Sequence, residues 1–111
     1  MPDATATVQS MKDAIRAFAT ERHWDPYHSP KNLCMAIASE VGEMCDLFRW
    51  LTPEESYAVC QNPETREAIA DELADVCNLV MLFGVHSGID ISDAVARKLV
   101  KNAVKYPPPG V

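Results

Sequence analysis

The sequence predicts an all-α protein, a helical bundle of four main helices plus one short helix. Three observations predict it. Apolar residues recur at helical spacing in every patterned segment, and no stretch alternates convincingly as a strand would. Prolines punctuate those segments at Pro26, Pro30, Pro53, Pro63 and Pro107 to Pro109, where helices begin or stop. At 111 residues the chain makes one domain with room for a core. Residues 1–7 are expected to be a flexible tail, 8–107 the domain, and 108–111 a second tail that its prolines keep from being helical.

The first helix covers residues 8–22, with Val8, Met11, Ile15, Phe18 and Ala19 at helical spacing, and ends near His23. A loop, WDPYHSP, follows. The second helix spans 31–50, with Leu33, Ile37, Val41, Met44 and Phe48 on one stripe. Pro53 opens a short helix for which Thr52 is the N-cap and Glu55 completes a capping box. Asn62-Pro63 breaks it. The longest helix runs from Glu64 to about His86 and stops at Ser87-Gly88. Its core stripe is Ile69, Leu73, Val76, Val80 and Phe83, and a neighbouring stripe holds Glu72, Asp75, Leu79 and Leu82. Two apolar faces on one helix imply packing against a second subunit as well as the chain's own core. A last helix, Ile91 to about Tyr106 after Asp90, is expected to lay Ala94, Leu99, Ala103 and Val104 against the bundle.

Composition narrows the function classes. Apolar residues are 48% and charged residues 23%, and no apolar run approaches the ~18 residues that cross a membrane. The N-terminus lacks a basic region followed by an apolar one, so the expected compartment is the cytoplasm. Cys34, Cys45, Cys60 and Cys77 form no CxxC and read as reduced packing residues. A net charge of -6 argues against a nucleic acid polymer as partner. Small nucleotides stay open, because a metal held by carboxylates inverts the local field.

Against this background four carboxylates stand out. Glu40 and Glu43 in ASEVGEMCDLF, and Glu72 and Asp75 in ADELADVCNLV, are i,i+3 pairs on helix faces otherwise apolar. Unpaired buried carboxylates cost several kcal/mol each, and four together repel, so something cationic or proton-bearing belongs between them. Lysines would serve, but bases at suitable offsets are scarce: Lys31 and Arg49 end one helix and Arg66 starts the other. A divalent metal fits better. Di-iron bundles need Glu-x-x-His, whereas here Asp46 and Asp75 stand three residues after Glu43 and Glu72. His23, His28 and His86 fall outside the pairs. Hard oxygen ligands point to Mg²⁺, with Mn²⁺ as alternative, and to phosphoanhydride chemistry.

The two acidic pairs, about thirty residues apart, resemble the ExxE…ExxD signature of the all-α nucleoside triphosphate pyrophosphohydrolases, the MazG-like group. The stretches Arg22-His23-Trp24, Tyr27 to Leu33, Phe48-Arg49-Trp50 and Lys98-x-x-x-Asn102-x-x-Lys105-Tyr106-Pro107 look like its dCTP pyrophosphatase branch. The resemblance implies a homotetramer, or dimer of dimers, that hydrolyses a (deoxy)nucleoside triphosphate to monophosphate and pyrophosphate with Mg²⁺. It makes Glu40, Glu43, Glu72 and Asp75 the metal-binding and catalytic acids. It also places Trp24, His28 and Trp50 around the base, with Asn32 near enough to help, although packing at helix ends would equally explain the two tryptophans and His28. Lys98, Asn102 and Lys105 share one face of the last helix and can offer donors to phosphates, or in the case of Lys105 serve as surface charge. One position departs from the branch. Leu79 stands where it has tyrosine, and Asn78 beside it either replaces that polar contact or faces a neighbouring helix. The base is therefore open between dCTP and a related or modified dNTP. A nucleotide sensor without turnover and a structural helical oligomer are the alternatives to an enzyme.

Overall fold

A reciprocal cap launches the first helix. Ser10 N–H donates to the Thr7 hydroxyl at 3.0 Å and Thr7 N–H donates to the Ser10 side chain at 2.9 Å, so α1 (Val8–Glu21) starts with its end groups satisfied in the computed structural model, which describes residues 1–110. It ends in a left-handed turn. His23 takes φ 57°, and Trp24 N–H reaches back to Ala19 O at 3.0 Å. The expected loop contains a 3-10 turn, Asp25–Tyr27, and then Ser29 caps α2 (Pro30–Asp46). The Thr52–Glu55 capping box is present at the head of α3 (Pro53–Gln61). Asn62 both ends α3 and caps α4 (Pro63–Ser87), which Gly88 closes at φ 71°. Asp90 caps α5 (Ile91–Lys105).

Three sequence expectations need correction. The second helix stops at Asp46 rather than at residue 50: Leu47 and Phe48 N–H groups turn to carbonyls three residues back, so Trp50 lies in a turn. On α4 both stripes reach the core, Phe83 from the expected one and Leu79 and Leu82 from the one carrying the acids. Leu82 is buried and Leu79 packs beside it, whereas Leu73 is 49% exposed. The last helix does not lay its apolar residues on its own bundle. Ile91 and Ala94 are half-buried, and beyond them Leu99, Ala103 and Val104 are exposed, Val104 at 82%.

Helix α4 is the hub, packing most extensively on α2, then on α1 and α3. The core where α1, α2 and α4 meet is Ala19, Leu33 and Leu82, with Ile15, Leu79 and Phe83 against it. Lys12 ties the far end together. Its side chain is buried and its Nζ donates to Ile89 O at 2.9 Å, joining α1 to the turn before α5. Gly84 makes room there, because a Cβ on it would stand 2.7 Å from Ile91 Cδ1. The four cysteines are unbridged, as expected of reduced thiols, but Cys34, Cys45 and Cys77 are exposed rather than packed. Among the described residues no helix is long and apolar enough to cross a membrane.

Candidate active site

The seam between α2 and α4 brings the acids together. Glu40, Glu43 and Glu72 each offer a carboxylate oxygen within 4.8 Å of the others. Glu40 and Glu72 are half-buried, Glu43 is exposed, and one oxygen of Glu40 and one of Glu72 are buried without a hydrogen-bond partner. Burial first, then the close carboxylate of Glu72, pushes the Glu40 carboxyl above the ordinary glutamate value, and the charge of Asp75 adds to this. Glu43 is pushed the same way, chiefly by the charge of Glu40. The three ion pairs among the described residues, Arg22–Glu21, Arg49–Asp46 and Arg97–Asp93, leave these carboxylates without a cation. Orphaned buried oxygens, mutual repulsion and a purely oxygen donor set fit a hard divalent cation.

Asp75 stands outside that trio. It is exposed and lines, with Glu40, a cavity of about 350 Å³. Trp24, His28 and Asn78 provide the other polar and aromatic surfaces, and Ile15, Phe18, Leu79 and Leu82 form the apolar wall. The left-handed turn at His23 is what folds Trp24 back over α1, where its ring meets Phe18 edge to face at 5.6 Å. Leu79 makes the wall apolar where the resembling branch carries a phenol. Asn78 is exposed and borders the cavity.

The remaining predicted residues lie elsewhere in the single chain. The Asn32 amide donates to Tyr27 O at 3.0 Å and so braces the 3-10 turn. Trp50 is 83% exposed, with the Arg49 guanidinium 4.8 Å from its ring centroid. Lys98 and Lys105 are exposed and Asn102 half-buried on α5, none of them lining the cavity. Sequence reasoning missed Ile15, Phe18 and Leu82 as cavity wall, because their spacing marks them as core. It also set aside His86, whose ring lies 5.9 Å from that of His28. The signal was there: His86 stands eleven residues, three helical turns, after Asp75.

Residues 35–110 match the MazG-like family. Human dCTP pyrophosphatase 1 is 34% identical over 101 residues, 91% of this chain and 59% of the relative. The bovine dCTP pyrophosphatase 1 is 33% identical over the same share of this chain and 60% of its own length. This chain thus spans about three-fifths of the length of the curated relatives it matches. A solved pyrophosphatase from Archaeoglobus fulgidus superposes with a TM-score of 0.85 at 30% identity, covering 97% of this chain and 99% of that one.

Proposed function

The chain belongs to the MazG-like family, and we propose that it hydrolyses a (deoxy)nucleoside triphosphate, dCTP or a related or modified dNTP, to the monophosphate and pyrophosphate. One observation carries this reading: three carboxylates from two helices converge, with orphaned oxygens, at the edge of a cavity walled by aromatic and apolar side chains. The names of the relatives support the reaction.

Glu40, Glu43 and Glu72 would hold the metal, Mg²⁺ or Mn²⁺, with Asp75 on the cavity side completing the acidic set. Such an ion neutralises phosphate charge and lowers the pKa of bound water. The chain's own residues do the rest. Trp24 offers a face for stacking the base, the Asn78 amide and His28 read its edge, and Leu79, Leu82 and Ile15 keep water from it. Lys98, Asn102 and Lys105 are assigned to phosphate, and Trp50 to the base with Asn32 bracing the loop beneath it. Those on α5, and Trp50, would reach the site only in an assembly.

A homotetramer supplies that assembly. A folded monomer of 12.3 kDa exposes about 6,100 Å², whereas this chain exposes 8462 Å². Its radius of gyration is 16.7 Å, against about 13 Å for a compact domain of this length. The excess surface is of the size that permanent subunit interfaces bury. The unbridged cysteines accord with the cytoplasm as its place of work.

The test is pyrophosphate release from a panel of canonical and modified dNTPs and NTPs with Mg²⁺, beside a Glu72→Gln control. Release from one group of nucleotides, lost in the control by at least about a hundredfold, is expected. Silence across the panel overturns the reading, and tight nucleotide binding without release would make the site a sensor.

A further inference from the structure

His28 lies on the loop between the 3-10 turn and α2, and its ring forms cavity wall beside Glu40 and Asp75. Its Nδ1 is buried and meets no hydrogen-bond partner. His86, on α4, has the matching defect: its Nε2 is buried and unpartnered. The two rings meet edge to face with centroids 5.9 Å apart and planes at 77°, and Trp24 meets His28 at 6.3 Å and 74°. His86 therefore does not stack idly at a helix end. Asp75, Leu79, Leu82 and His86 follow one another at spacings of four, three and four residues, so a single face of α4 supplies an acid, the cavity wall, the core and this second imidazole.

Buried polar atoms in folded proteins are nearly always paired, and a neutral imidazole has one nitrogen that donates and one that accepts. Two orphaned ring nitrogens in one aromatic cluster, on rings 5.9 Å apart, can both be satisfied through one shared water. We propose that His86 is a positioning residue for His28: its Nε2–H donates to a bridging water that in turn donates to His28 Nδ1, fixing His28 as the Nε2–H tautomer and giving the cavity a hydrogen-bond donor. The surroundings select this direction of donation. His28 shares the cavity with the carboxylates of Glu40 and Asp75, which favour an N–H over a bare nitrogen lone pair at the ring edge open to them. A donor there selects a substrate with an acceptor at that edge, such as a ring carbonyl. The proposal rests on the reading of this cavity as the nucleotide site.

The experiment records the imidazole ¹⁵N shifts of His28 in the metal-free protein, together with KM and kcat for the best triphosphate. Variants are His86→Phe, which keeps the edge-to-face packing and removes the nitrogens, and His86→Gln, which restores a donor. The expected result is an Nε2–H tautomer in the wild type, a mixed tautomer in His86→Phe with KM raised about tenfold, and recovery towards wild type in His86→Gln. An Nδ1–H or mixed tautomer in the wild type overturns the proposal without any variant. So does a His86→Phe protein whose His28 shifts and KM are unchanged, because packing alone would then explain the contact. Absence of all triphosphate turnover would refute the proposed function, while the tautomer measurement would still decide the histidine pair.

Discussion

Replacing Gly84 by alanine sets two effects of opposite sign against each other, and the structure decides between them. Gly84 lies inside α4, where alanine is the better helix former by about 1 kcal/mol. The added Cβ, however, would stand 2.7 Å from Ile91 Cδ1, 2.9 Å from Lys12 Cε and 3.1 Å from Ile91 Cγ1. Both side chains must move. Turning Ile91 off its rotamer costs about 0.5–1.5 kcal/mol. Moving Lys12 strains the 2.9 Å bond from its Nζ to Ile89 O, and a hydrogen bond from a charged donor is worth about 1.5–3 kcal/mol. The net expectation is a loss of about 1–3 kcal/mol, which lowers the melting temperature by about 5–15 °C for a domain of this size. Thermal unfolding by circular dichroism at fixed protein concentration measures it. A Lys12→Met background closes the cycle, since the cost of Gly84→Ala should shrink once there is no Nζ bond to strain. A Gly84→Ala protein that melts at or above the wild-type temperature would refute the reasoning.

Three further outcomes follow from the same geometry. Glu40 and Glu43 are held above the ordinary value of 4.5, so the stability they allow is fully present in acid and is lost as pH rises through their folded-state range. Glu55 works oppositely: hydrogen bonds from Thr52 lower its pKa, and its contribution disappears as pH falls. Between pH 7 and pH 5, metal-free wild type should therefore gain stability relative to Glu40→Gln, and parallel melting curves would contradict this. His23→Gly should stabilise by about 1 kcal/mol, because an exposed side chain at φ 57° gains nothing from packing; a lower melting point would show that the imidazole has a partner. Trp24→Ala should raise KM with kcat largely kept, as loss of uniform binding does, and a fall in kcat alone would remove Trp24 from the base-binding surface.

Much of the fold was legible because local chemistry and tertiary structure agree. Thr52, Glu55 and Pro53 specify the start of α3 by satisfying its end groups, and Asp90 does the same for α5. What was not legible depends on partners distant in sequence. The periodicity of α4 shows two apolar stripes but not which residues of each reach the core, and the apolar residues of α5 look the same whether they cover this chain or another. The acids were legible as a cluster for a related reason. Glu40 and Glu72 break the apolar pattern of their helices with no base at hand, and that conflict survives folding as buried, unpartnered oxygens. Phe18 and Ile15 gave no such conflict, since a cavity wall and a core obey the same pattern.

The same conflict explains where the site lies. Carboxylates that repel one another can be held close only by elements fixed through other contacts, and here α2 and α4, which carry them, are fixed by the core of Leu33, Leu79 and Leu82. The core joining these helices is small, three buried apolar residues among the described residues. A core of that size on an unusually large exposed surface is poorly suited to hold the cluster together unaided. Metal binding would then stabilise the α2–α4 seam by removing repulsion, and a second copy would stabilise the chain elsewhere by covering α5. In that case added Mg²⁺ and added protein concentration should each raise the melting temperature, and Glu72→Gln should abolish the first effect while leaving the second.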